Sequence, residues 1–290
     1  MEKREEDVMD KKWTAVIKAK DNPFRLNIKE HWKYRDLIWL FVKRDFKTRY
    51  KQTVLGPLWF VIQPLLNTIV YTVVFGSIAG LAENGVPSFL FYMIGTLTWG
   101  YFSASFGAGQ AALVGNAGLF SKVYFPRLVP TVSTLITNFL NFLIQFVMYL
   151  GFVLYFFLVP QYGSFQISTV ATLTPLFLIQ MSLLGMGCGL IVASVTTKYR
   201  DLSILVGFGL SAWMYITPVI YASSTLGPTA YKVLMCNPVA PIVELMRYGW
   251  LGCGTTPWLY WGISWITTVF LCFFGIVAFN KTQKNFLDTV

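Results

Sequence analysis

Charge is scarce in this sequence and is missing from long parts of it. Charged residues make up only 12% of its 290 residues, about half the share found in soluble domains, whereas hydrophobic residues make up 55%. No charged residue occurs between Leu128 and Thr197, a stretch too long for one buried helix. These figures exclude a disordered chain, a fibrous repeat and an ordinary soluble enzyme. They predict a helical membrane protein that crosses the bilayer several times.

Residues for catalysis and cofactor binding are also lacking. The sequence has no G-x-x-x-x-G-K-[ST] motif for ATP binding, and its one histidine, His31, has no metal-ligand partners nearby. The run Gly185–Gly189 is similar to a glycine-rich nucleotide loop, but it lies in an apolar segment and favours close helix packing. We therefore expect no catalytic residue, no metal and no cofactor. The same packing role is predicted for small residues four apart, namely Ser103, Gly107, Ala111 and Gly115.

Six apolar runs without charge, separated by Pro, Gly and polar clusters, predict six transmembrane helices. Because the runs are continuous rather than alternating, a closed β-barrel is excluded. The expected fold is all-α: residues 1–30 form a tail, 31–57 an amphipathic interface helix, 58–279 the six-span domain and 280–290 a second tail. The predicted spans are Leu58–Ala79, Phe89–Val114, Val132–Val159, Val170–Val195, Leu202–Ala222 and Trp258–Phe279.

Basic residues predict the orientation of these spans. Of the 23 Lys and Arg residues, 21 lie before span one, after span six and in the connections after spans two and four. The positive-inside rule therefore places both termini in the cytoplasm. The net charge of +10 would suggest nucleic acid in a soluble protein, but here it favours contact with anionic membrane lipids and no nucleic acid.

The segment from His31 to Tyr50 precedes the first span and mixes apolar and basic residues. One set recurs at helical spacing beside Trp39, and the basic residues lie on another side. This pattern favours a helix lying at the membrane surface, with a solvated basic helix as the alternative. The apolar set is Ile38, Val42, Phe46 and Tyr50, and the basic set is Lys43, Arg44 and Lys47.

The connection from Ser223 to Pro257 is too long and too apolar for a simple turn. We predict two short helices that dip back towards the membrane, forming either an external gate or an ordinary external cap. Two cysteines in this connection, Cys236 and Cys253, could form a disulfide or remain two free thiols. The candidate gate residues are Asn237, Pro238, Glu244 and Arg247.

Neutral polar side chains recur within two spans. They predict either the wall of a path for a hydroxyl-rich substrate or hydrogen bonds between helices. The spans hold no carboxylate or histidine for ion coupling, so the energy for transport would come from a separate ATPase subunit. The candidate lining residues are Gln63, Asn67 and Tyr71 in span one and Asn138, Asn141 and Gln145 in span three.

Several local strings, in this order and spacing, resemble the membrane subunit of polysaccharide-exporting ABC transporters, the group of O-antigen, capsule and teichoic-acid exporters. The resemblance extends from about Lys33 to Phe279. The strings are Arg44–Tyr50 with Leu55–Trp59 and Gln63-Pro64, Phe91–Phe102, Ser121–Arg127 with Pro130, Lys198–Asp201, Ile216–Tyr221, Asn237-Pro238 and Arg247.

This resemblance implies two copies of the chain, each with one ATP-binding subunit, in the cytoplasmic (inner) membrane of a bacterium. It implies that a lipid-linked polysaccharide leaves through a channel between the two copies, and the overall resemblance favours O-antigen as this polysaccharide. A lipid pyrophosphate could enter at Arg44, Lys47, Arg49 and Lys51, although these residues would equally serve as positive-inside anchors. Motion of the ATPase would be transmitted through Phe120, Lys122, Tyr124, Phe125 and Arg127, where the aromatic side chains would need a partner surface to cover them.

Three alternatives stay open at this point. Capsule or teichoic acid could replace O-antigen as the glycan. A permease that exports a small drug-like or lipid molecule would share the six-span plan without a continuous polar channel. A membrane protein that does not transport, such as a glycan-modifying acyltransferase, would be expected to carry a polar catalytic cluster at the membrane surface.

Overall fold

The computed structural model describes residues 32–50, 55–83, 85–120, 125–159, 165–199 and 201–289, and secondary structure in these ranges is helical throughout. The predicted all-α class is therefore confirmed. The α-helices are α1 (Arg35–Tyr50), α2 (Trp59–Tyr71), α3 (Ser88–Gln110), α4 (Ala117–Phe120), α5 (Val129–Leu158), α6 (Thr174–Thr196), α7 (Leu202–Ile216), α8 (Pro228–Met235), α9 (Ala240–Leu251) and α10 (Trp258–Thr289).

Four helical stretches are long and apolar enough to cross a membrane. They are Trp59–Ile78, where α2 continues as a π-helix, and Val129–Leu158, Thr169–Thr196 and Trp258–Gln283. Helix α3 has 23 residues, but its Gly, Ser, Thr and Tyr residues reduce its hydropathy. Helix α7 is apolar, but its 15 residues span only about 22 Å of a hydrocarbon core that is about 30 Å thick. The count of six spans therefore stays a prediction.

Helix α7 ends earlier than the predicted span, which extended to Ala222. Its last residue is Ile216, and Thr217 takes an extended conformation with φ −96° and ψ 142°. The reason is Pro218, whose ring disfavours helical backbone at the preceding residue. The segment that follows α7 is therefore irregular, and its carbonyl groups are available to side chains from other elements.

Helix α3 lies at the centre of the molecule and packs against α2, α5, α6 and α9. Its N-terminal half is fully buried from Leu90 to Gly95. By contrast, α2 buries only Thr68, and α7 buries no residue. The protein therefore has a packed centre built on α3 and two apolar helices whose surfaces are largely uncovered by the other described residues.

Glycines in α6 allow close contact with both α3 and α10. A methyl group at Gly185 would lie 2.9 Å from the carbonyl oxygen of Phe102, and one at Gly187 would lie 2.7 Å from the Cα of Cys272. Real Cβ atoms do not approach so closely, so the backbones meet only because side chains are absent. Close helix packing, rather than a nucleotide loop, is therefore confirmed for this run.

Three of the four small residues that were predicted to pack do not do so, and the fourth, Ser103, is half-buried. A methyl group at Gly107 would meet no atom within 4 Å, whereas Ala111 and Gly115 follow the end of α3 and are exposed. The residues of α3 that contact α6 lie on the other side of the helix, at Ser105 and Gly109. The prediction for these residues was wrong because a spacing of four residues identifies one face of a helix but not which neighbouring helix covers that face.

Helix α1 packs against the start of α5. Phe41 and Val42 are buried, whereas Trp39 and Leu40 are 52% and 60% exposed. The predicted apolar set is therefore only partly right: Val42 is buried and Ile38 and Phe46 are half-buried, but the set omitted Phe41, which is also buried. The side chain of Tyr50 lies outside the described residues. The location of α1 at a membrane surface and the proposed domain limits stay predictions.

The long connection after α7 contains the two predicted short helices, α8 and α9. Nearly every residue of α9 is buried, from Ala240 to Arg247 without interruption. Gly252 ends α9 in the left-handed conformation with φ 65°, which glycine adopts without strain. This connection is thus part of the protein core, while its depth in a membrane stays a prediction.

Candidate functional site

A groove of about 530 Å³ lies between α2, α3 and α5. Two amides on α2 face it from one side because Gln63 and Asn67 are one helical turn apart. The amides of α5 face it from the other side, and Thr96, Gly100 and Tyr101 of α3 form its floor. The structure thus brings together five of the six candidate lining residues, namely Gln63, Asn67, Asn138, Asn141 and Gln145.

Tyr71, the sixth candidate, does not line the groove. Its ring packs at an edge against Phe75, with 5.6 Å between ring centroids, and contributes to the apolar core. Tyr71 is the last residue of α2, two helical turns beyond Gln63, so its side chain lies about 12 Å further along the helix axis. The polar face of α2 therefore has two members rather than three.

The two asparagines of α5 have different surroundings although both are almost fully buried. Asn138 donates a hydrogen bond from Nδ2 to the carbonyl oxygen of Ala104 on α3, at 2.9 Å. Asn141 is 7% exposed, and its Oδ1 has no hydrogen-bond partner among the residues that the structure describes. Asn138 thus joins two helices, as the packing alternative predicted, whereas Asn141 has an unused acceptor in the groove wall.

A third buried amide shows what a purely structural role looks like in this chain. Gln180 of α6 donates to Ser264 at 2.8 Å and accepts from the indole of Trp261 at 2.8 Å. Both ends of the side chain are therefore satisfied by α10. Sequence analysis missed this residue because no second polar residue follows it at helical spacing in α6.

Aromatic side chains complete the groove and connect it to α1. Trp59 and Phe60 of α2 and Phe142 of α5 line its wall. The ring of Phe60 also contacts Phe46 of α1, with 5.9 Å between centroids. Helix α1 therefore borders the end of the groove that Trp59 and Phe60 form.

The candidate coupling residues that the structure describes form one cluster with α1. Phe125 is buried between Phe41 and Phe120, at centroid distances of 5.9 Å and 5.8 Å. The expectation that Phe125 needs a partner subunit to cover it was therefore wrong, because α1 covers it within the same chain. Arg127 lies over the ring of Phe120 and donates to the backbone carbonyl of Gln283 in α10.

The candidate residues for substrate access are only partly described. Arg44 donates from Nε and Nη2 to Asp45, at 2.9 Å and 2.8 Å, and its guanidinium lies 4.6 Å from the Phe41 ring centroid. The guanidinium group of Arg44 is therefore already paired with a carboxylate, whereas Lys47 is exposed. Lys51, Lys122, Tyr124 and the side chain of Arg49 lie outside the described residues.

The candidate gate residues Glu244 and Arg247 form an ion pair inside the protein. The pair measures 3.3 Å, and each side chain is only 1% exposed. Arg247 also donates to the carbonyl oxygens of Val219 and Tyr221, at 2.6 Å and 3.3 Å, in the irregular segment after α7. The two charges thus attach α9 to that segment, and we call this arrangement the clasp.

Neighbouring elements complete the clasp. The guanidinium of Arg247 lies 3.8 Å from the centroid of the Phe91 ring on α3, and a methyl group at Gly95 would lie 2.9 Å from its Nη2. Ser223 donates to Glu244 at 2.7 Å. Desolvation lowers the pKa of Arg247, while the adjacent carboxylate raises it. Among the other ionisable groups nearby, Cys253 is buried, which raises its pKa to about 12.

Asn237 and Pro238 hold the corner between α8 and α9. Asn237 donates to Thr217 at 2.9 Å and accepts from the indole of Trp213 at 3.0 Å. The carbonyl of Pro238 accepts from Ser264 of α10 at 2.6 Å. Of the two cysteines in this connection, Cys236 is exposed and Cys253 is buried, and both are free thiols. All four candidate gate residues therefore serve as contacts between elements, and a gating role stays a prediction.

Comparison with known proteins gives a consistent family assignment. A family model described as ABC-2 type transporter matches residues 36–251, which is most of the chain. An O-antigen export system permease protein of Myxococcus xanthus is 32% identical over 76% of this chain and 80% of its own length. One of Klebsiella pneumoniae is 27% identical over 87% and 94%. A polysialic acid transport protein of Escherichia coli is 24% identical over 70% and 77%.

Proposed function

We propose that this chain, which belongs to the ABC-2 type transporter family, is the membrane-spanning subunit of an exporter for a lipid-linked polysaccharide of the O-antigen type. The observation that carries the proposal is the groove, where neutral amides and aromatic side chains from three helices face one space. Such a wall suits a hydroxyl-rich substrate, and the relatives named for O-antigen export support the same substrate class.

Transport would be driven by a separate ATP-binding subunit on the cytoplasmic side. The sequence itself has no P-loop, and within the described helices that could span the membrane no ionisable pair is placed for ion coupling. The cluster of Phe41, Phe120 and Phe125 joins α1 to the loop before α5. A displacement of either element would move the other because the rings are in direct contact.

A second copy of the chain would complete the export path. Helices α2 and α7 support this proposal because they bury one residue and none, respectively, within a single chain. Their exposed residues are strongly apolar, including Phe208 at 80% and Ile204 at 76% exposed. Lipid or a second copy must cover such surfaces. The positive-inside count places both termini on the cytoplasmic face of the inner membrane.

The test is deletion of the gene followed by analysis of surface glycan. Loss of surface polysaccharide, with lipid-linked glycan retained inside the cell, is the expected result. The parent gene should restore the surface glycan only together with an ATP-binding subunit. Unchanged surface glycan in the deletion strain, together with increased sensitivity to a small toxic compound, would instead indicate export of a small molecule.

A further inference from the structure

Among the residues that the structure describes, the groove between α2, α3 and α5 has a wall without formal charge. Fourteen of these residues line it, and none of them is Asp, Glu, Lys, Arg or His. A carboxylate or phosphate that entered this space would lose its water and gain no cation in exchange, which is strongly unfavourable. A hydroxyl group, in contrast, can exchange water for the amide groups of the wall.

Asn141 gives this wall a buried oxygen that lacks a hydrogen-bond donor. Its Oδ1 is buried without a partner in the part of the chain that the structure describes, whereas a buried carbonyl oxygen almost always accepts a hydrogen bond. Gln180 shows that the chain can satisfy a buried amide fully where the role is only packing. Six described residues have a buried polar atom without a partner, and Asn141 is the one among them that lines the groove, where a donor from outside the chain can approach it.

The shape and the remaining chemistry of the groove fit a sugar. Its volume of about 530 Å³ lies within the range of small-molecule sites. Amides at Gln63 and Gln145 can bind hydroxyl groups, and the rings of Trp59 and Phe142 can cover the apolar face of a pyranose. The basic residues of α1 lie outside the groove wall, so charge on a lipid carrier need not enter it.

From these observations we propose that the groove is a binding site for uncharged sugar residues of the exported glycan, that it excludes anionic sugars, and that Asn141 accepts a hydrogen bond from a bound hydroxyl group. This inference rests on the proposed function and adds a selectivity to it. A chain built this way would export a neutral polysaccharide and not one with a carboxylate on every sugar.

The test measures protection of a cysteine in the groove of the full-length chain in lipid nanodiscs. Gly100→Cys is the reporter, because Gly100 lines the groove and a Cβ there meets no atom within 4 Å. Gly207→Cys on α7 is the matched control, since it has equal space away from the groove. Both are made with Cys236→Ser, because Cys236 is the one exposed native thiol among the described residues.

The probes are maltohexaose, which is neutral, and an oligomer of sialic acid of the same length. Maltohexaose should slow labelling of Gly100→Cys by a water-soluble thiol reagent at least threefold, and the sialic acid oligomer should have no effect. Neither probe should protect Gly207→Cys. Asn141→Leu should raise the maltohexaose concentration that gives half-maximal protection about fivefold, as expected for one lost hydrogen bond. Gln63→Lys should introduce protection by the anionic oligomer, because it adds a cation to the wall.

Two results would overturn the proposal. Equal protection by both oligomers would show that the groove does not select by charge, and protection by neither would show that it does not bind sugar. If either result is obtained with a chain that restores surface glycan in the deletion strain, the export function stands and only this site is withdrawn.

Discussion

Breaking the clasp between Glu244 and Arg247 should destabilise the protein more than removing any exposed charge. In Arg247→Met, Glu244 keeps its contact with Ser223 but loses its cation in a site that is 1% exposed. Removal of one partner from a buried ion pair costs about 3–5 kcal/mol. At about 2–4 °C per kcal/mol for a domain of this size, the melting temperature should fall by about 10 °C.

The assay is thermal unfolding of the detergent-solubilised protein, followed by the fraction that elutes as folded material in size-exclusion chromatography. Lys232→Met is the control, because Lys232 is exposed in the same connection and should change stability by no more than about 0.5 kcal/mol. The double variant Glu244→Gln with Arg247→Met should lose less than the sum of the single variants, since neither charge is then left unpaired. An Arg247→Met protein that melts with the parent would refute this account of the clasp.

Three further predictions concern other contacts. Phe125→Ala should lower the free energy of unfolding by about 3 kcal/mol, and adding Phe41→Ala should lower it by a smaller amount because the two rings are in contact. Phe125→Ala should also uncouple ATP hydrolysis from export, which is measured as surface glycan. Gly187→Val should abolish the folded fraction in detergent, because its side chain would overlap α10, whereas Gly107→Val should leave that fraction unchanged. Arg49→Lys should reduce export about tenfold at normal membrane insertion if the basic cluster grips a pyrophosphate, and unchanged export would assign the cluster to membrane anchoring.

The groove could be predicted from the sequence because it depends on a local regularity. Amides one helical turn apart, such as Gln63 and Asn67, must lie on one side of a helix whatever surrounds it. The prediction failed at Tyr71, because the spacing identifies one face of the helix but not how far along that face the groove extends. It also could not separate Asn138 from Asn141, since the difference between them is the carbonyl of Ala104 on another helix.

The clasp could not be predicted as a buried pair for a related reason. Glu244 and Arg247 are three residues apart, a spacing typical of exposed pairs on a helix. Their burial is caused by Phe91 and Val219, which are distant in the sequence. Phe125 gives the opposite case: its sequence neighbours suggest an exposed loop, and its cover is Phe41, which precedes it by more than eighty residues.

The two sites share one helix, and this limits which parts can move during transport. On α3, Gly95 contacts the clasp and Thr96 lines the groove, so adjacent residues belong to both. The same helix is fixed to α6 through Gly109 and Gly185, where the backbones are too close to slide without collision. Helix α2 has no such constraint, since it buries only Thr68. A change in the width of the groove can therefore come from α2, which contacts α1 through Phe60 and so can respond to motion that begins at α1.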